Sequence, residues 1–164
     1  MFLQVKLFGL YVKFTKFVYT NIVLTNIMDT KEAIITLLKA SSWVYEILVQ
    51  TLKPHGISLQ QFNVLRILRG QKGKAANLST VQERMVNKMS NTTRLIDKLI
   101  DKNLVKRTIC EENRRKIELF ITRKGEEFLT VVDPIVDDAQ EKIIQKLKPN
   151  EKSILTELLN KLIK

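Results

Sequence analysis

Between residues 78 and 121 the apolar periodicity changes from 3.6 to 2, and no other feature of the chain constrains its fold as much. Val81 and Met85 mark one short helical segment. Leu95, Ile96, Leu99 and Ile100, with Thr92, mark the inward face of a second. The pattern then alternates: 104–110 is rich in β-formers, and Ile117, Leu119 and Ile121 alternate with Glu118 and Phe120. The connector 111–116, Glu-Glu-Asn-Arg-Arg-Lys, is polar throughout. Two short helices joined by a tight turn form a helix-turn-helix, and a charged-tip hairpin directly after it forms a wing.

Around this centre the spacing is helical. Ile34, Leu37, Leu38, Val44, Ile47, Leu48 and Leu52 place one stripe along a helix over 30–53, ended by Pro54 and Gly56. Ser58 and Gln61 have the S-x-x-Q spacing of a capping box ahead of Phe62, Leu65 and Leu68. Gly70 stands where a helix end favours a left-handed residue. A polar connector, 71–77, leads to a second S-x-x-Q at Ser79 and Gln82, and Ser90 is expected to cap the next helix. Thr122 caps a long helix with Phe128, Val132, Ile135, Val136, Ala139, Ile143 and Leu147 on one stripe, which Pro134 should kink or split. A last helix starts at Pro149-Asn150.

The expected architecture is mainly α with a small β-hairpin wing. A winged helix-turn-helix over 58–122 lies between amino- and carboxy-terminal helical dimerisation arms, 28–57 and 123–164. Those arms have wide apolar stripes and no other core to cover, so a two-fold interface is their natural use. Residues 1–27 differ: they hold six of the eleven aromatics, three lysines and no acid. The uncharged stretch 17–28 is shorter than the roughly 20 residues a spanning helix needs. Three readings stand for this atypical extension: a non-native segment ahead of a start at Met28, a genuine arm, and a membrane attachment.

Charge narrows the partners. The 164 residues carry a formal net charge of +11, which favours polyanions. Segment 84–125 alone holds twelve basic and five acidic side chains, whereas 126–164 is mildly acidic. Cys110 and His55 are the only cysteine and histidine, so the sequence offers no disulfide framework, Cys/His metal cluster, HExxH or Ser-His-Asp triad. No phosphate-binding glycine loop occurs either. No enzyme, metal or cofactor is expected, and a reducing, cytoplasmic setting fits.

The runs MSNTTRLIDKLIDKNLVKR (89–107), ENRRK (112–116) and IELFITRKGEEFL (117–129), with a terminal KPNEK helix, resemble the MarR (multiple antibiotic resistance regulator) family. That resemblance covers about 30–164. It implies a winged-helix homodimer on palindromic double-stranded operator DNA, a repressor released by a small ligand or by cysteine oxidation, with no membrane partner. By position it implies that Ser90, Asn91, Thr93, Arg94 and Lys98 face the major groove. Asn113, Arg114, Arg115 and Lys116 would bring the wing to DNA, with the two arginines at the minor groove. The usual Asp-Arg-Arg reads Asn113-Arg114-Arg115 here, and the usual glycine before the first wing strand is Asn103. The same charge pattern also suits a nonspecific or architectural DNA binder.

Other residues keep two readings each. Lys72, Lys74 and Lys88 are candidate phosphate contacts or solvated cations, as is Arg69. Trp43, Tyr45 and His55 are candidate effector-pocket residues; the aromatics equally suit a core or interface, and His55 a helix-ending turn. Cys110 is a redox sensor or a passive strand residue.

Overall fold

The computed structural model describes residues 30–86, 91–109 and 117–163. The chain divides into two units, Met1–Tyr45 and Glu46–Lys164. In the first, 30–45 is helical, with Ile34, Ile35, Leu38, Trp43 and Tyr45 all about half exposed or more. The helical assignment α1 runs over 30–52.

In the second unit α1 ends in a 3-10 turn, Lys53–His55, with Pro54 in its first turn and Gly56 left-handed at φ 69°. Helix α2, Leu59–Arg69, opens on the expected capping box. The Gln61 N–H donates to Ser58 Oγ at 3.1 Å, and the Ser58 N–H donates to Gln61 Oε1 at 3.0 Å. Helix α3 is Leu78–Arg84 and helix α4 is Thr92–Asp101. Strands β1, Val105–Ile109, and β2, Ile117–Ile121, pair antiparallel in the register Val105↔Ile121 to Ile109↔Ile117. Helix α5 is Arg123–Ile144 and helix α6 is Pro149–Ile163.

One core joins these elements. Phe62, Leu65 and Leu68 from α2 meet Val81 from α3, Ile96 and Leu99 from α4, and Leu119 from β2, each at most 2% exposed. Helix α5 contributes Leu129, Val132 and Val136 to the same cluster, so the winged-helix core extends past residue 122 into the long helix. Leu129 is fully buried, although the apolar stripe expected there runs through Phe128.

Several local expectations are corrected. Gly70 is right-handed, φ −62°, because its N–H still bonds the Arg66 carbonyl; the left-handed turn falls instead on Lys72 (φ 53°) and Gly73 (φ 81°). The cap of α3 is Asn77, whose Oδ1 accepts from Thr80 N–H at 2.7 Å, so Ser79 lies inside the helix. The connector 71–77 is more than a loop: Ala76 and Leu119 exchange backbone hydrogen bonds of 3.1 and 2.7 Å, adding a bridge to the wing sheet. Pro134 does not split α5, which is helical throughout.

Candidate nucleic-acid interface

Helix α4 is held by both ends with its polar face outward. Its cap is Asn91 rather than Ser90: Asn91 Oδ1 accepts from the Arg94 N–H at 3.2 Å. That oxygen therefore already accepts one hydrogen bond from its own helix, which leaves one of its two lone pairs for any other donor. Thr92, Ile96 and Leu99 are buried, while Thr93, Arg94, Asp97 and Lys98 are exposed. The spacing of Arg94 and Lys98 puts two cations on one face, one turn apart.

The carboxyl end of α4 closes with a Schellman arrangement. Asn103 is left-handed at φ 58°, its N–H donates to Ile100 O at 2.8 Å, and the Leu104 N–H donates to Leu99 O at 2.9 Å. Asn103 thus fills the place of a glycine as expected. Thr122 fastens this turn to the next helix: its Oγ1 donates to Asn103 O at 2.8 Å and accepts from the Gly125 N–H at 3.0 Å. Lys102 Nζ reaches Gly56 O at 2.5 Å, and Lys124 Nζ reaches Lys102 O at 3.0 Å. The outward face of α4 therefore stands on a fixed support, which is what a helix that must enter a groove in one orientation requires.

Two acidic groups share that face, Asp97 and Asp101, both exposed. Asp97 Oδ1 bonds Arg107 Nη2 at 2.7 Å, tying α4 to β1. Lys106 stacks on the Phe120 ring at 5.0 Å, across the same hairpin. Lys72 and Lys74 are exposed. Arg69 is not a solvated connector cation; it forms an ion pair with Asp133 of α5 at 2.5 Å. Ser90, Lys88, Cys110 and the wing residues Asn113, Arg114, Arg115 and Lys116 lie outside the described residues.

Residues 57–117 match the family model described as the MarR family. That stretch of the chain is similar to the MarR family. A curated relative, the transcriptional repressor MprA of Escherichia coli, is 29% identical over 112 residues, covering 68% of this chain and 64% of that protein. The chain thus matches a little under two thirds of the length of that relative. The MarR-family fold is shared with solved structures. One, from work on regulation of DNA binding of Bordetella bronchiseptica BpsR by 6-hydroxynicotinic acid, has a TM-score of 0.70 at 24% identity, covering 77% of this chain and 89% of the other. Another, an E. coli MarR cysteine-to-serine variant complexed with operator DNA, has a TM-score of 0.70 at 21% identity, covering 78% and 91%. The two-stranded hairpin after α4 is accordingly the wing of a winged helix.

Two cavities flank the 3-10 turn of the second unit. A cavity of about 430 Å³ is lined by Ile47, Thr51, His55, Ile135, Asp138 and Lys142, among others. A second, of about 370 Å³, lies between His55, Leu104, Lys124, Phe128 and Val131. His55 borders both, whereas Trp43 and Tyr45 belong to the first unit. Among the described residues no group of three or more metal-ligating side chains occurs, and no helix is long and apolar enough to cross a membrane.

Proposed function

We propose that the chain is a homodimeric, sequence-specific DNA-binding transcriptional regulator of the cytoplasm, acting as a repressor on a palindromic operator and released by a small ligand. The observation that carries this reading is α4: an amphipathic helix anchored at both ends, with Thr93, Arg94 and Lys98 presented outward and the carboxylate between them in sequence, Asp97, paired with Arg107. A recognition helix contacts bases mainly through its amino-terminal half, where Arg94 stands. Ser90 and Asn91 flank it, Asn91 as the cap. The wing, Asn113 to Lys116, adds backbone and minor-groove contacts, and Lys72, Lys74 and Lys88 add phosphate contacts. The repressor name of the E. coli relative and the operator complex of the MarR structure support the same assignment.

Release by a ligand has narrower support. A BpsR structure of the same fold concerns regulation of DNA binding by 6-hydroxynicotinic acid. In this chain the cavities bordering His55 offer apolar walls with a few polar groups, the usual make-up of a small-molecule site. In the first unit, Trp43 and Tyr45 are proposed by themselves as effector contacts. Effector binding would need no cofactor.

The deciding experiment captures genomic fragments on the purified protein and footprints the enriched sequence. A single protected palindrome is expected. Arg94→Ala should then cost about 1–3 kcal/mol on that operator and relax preference at one base pair per half-site. Uniform affinity for all sequences would instead establish an architectural binder, the reading that basic charge alone also permits.

A further inference from the structure

Six arginines fall among the described residues: Arg66, Arg69, Arg84, Arg94, Arg107 and Arg123. Three hold carboxylates, at Asp133, Asp97 and Glu127. Among the described residues the other three have no ion-pair partner. Arg94 is the recognition-helix cation. The remaining two, Arg66 and Arg84, line one groove of about 310 Å³ together with Asn63, Ile67, Gly70 and Val86.

That groove lies between α2 and the carboxyl end of α3, and among the described residues no acid lines it. The cavities at His55 differ: one contains Asp138 paired with Lys142, and the other contains Glu127 beside Lys124. Two guanidiniums within one concavity repel each other unless an anion joins them. Arg66 is also restrained, its guanidinium lying 5.6 Å from the centroid of the buried Phe62 ring, which lowers the entropy lost when it binds. Asn63 supplies a neutral donor, and the planar guanidinium matches a phosphate by two parallel hydrogen bonds.

We infer that the groove formed by Asn63, Arg66 and Arg84 is a phosphate-binding site, separate from the outward face of α4. The phosphate has two sources: a diester of the DNA backbone beside the operator, and the monoester of a free phosphorylated molecule. Only the first source rests on the DNA-binding reading.

The test uses the full chain and an Arg66→Ala/Arg84→Ala double variant. Inorganic phosphate is titrated at constant ionic strength and followed by ³¹P line broadening. Affinity for a random-sequence duplex is measured as a function of salt. The wild type should broaden the phosphate signal, with at least tenfold weaker binding in the double variant and no loss in Arg94→Ala. If the salt slope of the duplex also falls by about 0.9 for every DNA phosphate that each protomer ceases to neutralise, the source is the DNA backbone. If the phosphate response is lost while the slope stays, the source is a free phosphorylated molecule. A reduced slope without phosphate broadening still supports the site, as one that takes a diester. Both arginines are exposed, so the fold should persist; Arg84→Ala alone, which leaves Arg66 on Phe62, repeats the test if the double variant unfolds. Equal broadening in wild type and variants, or no broadening with an unchanged slope, overturns the inference. So does a thermal midpoint raised by polyglutamate in the wild type alone, with no phosphate response, which would make the groove a docking site for an acidic protein.

Discussion

Arg107 on the first wing strand donates to Asp97 on α4 at 2.7 Å, so one hydrogen-bonded ion pair links the two parts of the proposed DNA-contacting surface. The side chains are 36% and 50% exposed, and an exposed pair contributes at most about 1 kcal/mol to stability. Its effect on DNA binding should be larger. Asp97 lies one turn or less from Arg94 and Lys98, and without Arg107 its carboxylate would face phosphate unneutralised. Arg107→Ala should therefore weaken duplex binding by more than it lowers the urea midpoint. Adding Asp97→Ala should recover part of the affinity. Fluorescence anisotropy across the double-mutant cycle reads this, and purely additive losses would remove the proposed coupling.

Gly125 is required by a close approach. It is buried in the first turn of α5, and a Cβ there would collide with the Leu104 carbonyl and come within 2.7 Å of Ile121 Cγ1. The obstacle is largely backbone, fixed by the Thr122 N–H bond to the same Leu104 oxygen at 3.1 Å. Gly125→Ala should cost about 3 kcal/mol, at the upper end of overpacking effects. Chemical denaturation of the variant gives the number, and a loss under about 1 kcal/mol would mean that α5 shifts freely.

A third prediction concerns Arg69 and Asp133. Asp133 Oδ1 is buried without a hydrogen-bond partner, so Arg69 alone among the described residues compensates that carboxylate. Arg69→Ala should destabilise by about 1–3 kcal/mol, the cost of leaving a polar group unsatisfied. Replacing both, as Arg69→Met with Asp133→Leu, should cost less than Arg69→Ala, because an apolar pair leaves nothing unpaired. Thermal melts of the three proteins distinguish this from a solvated Arg69, for which all the changes would be small.

What is legible in the sequence is local. Ser58 and Gln61 specify their capping box from three residues' spacing, and the buried set Thr92, Ile96 and Leu99 follows from helical period alone. Expected and observed caps differ by one or two positions where several suitable residues crowd together: Asn91 caps beside Ser90, and Asn77 caps near Ser79. Either member of each pair has an acceptor side chain, and only the chain's exit direction selects one. Leu129 is hidden in the sequence because Phe128 offers an equally apolar neighbour, and burial decides between them by packing. Non-local pairings leave no sequence signal at all. The Ala76–Leu119 bridge and the Arg69–Asp133 pair join residues far apart in the chain, and the latter makes a candidate phosphate contact a structural one.

The exposed face of α6 makes the strongest prediction about assembly. Ile154, Leu158 and Leu162 are 52%, 53% and 66% exposed, and Leu155 and Leu159 are 40% and 36% exposed. At intervals of three and four residues they form a continuous apolar stripe along the helix. A soluble chain rarely leaves such a stripe in water, and covering it with the same stripe of a second copy satisfies both at once. The acidic groups beside it, Glu151 and Glu157, do not oppose this: Glu157 pairs with Lys161, and Glu151 accepts from the Lys148 N–H at 2.7 Å. Light scattering at micromolar concentration should give a dimer mass for the wild type. Leu158→Lys with Leu162→Lys should give a monomer, since two lysines per copy would bring like charges together across the two-fold axis. The core Phe62, Leu65, Ile96 and Leu99 contains nothing from α6, so circular dichroism should retain its helical signal and a cooperative melt. DNA affinity should fall steeply, because the two half-sites of a palindrome would then be bound independently. A monomeric wild type would overturn the predicted dimer, and a dimer that survives both lysines would place its two-fold interface elsewhere on the chain.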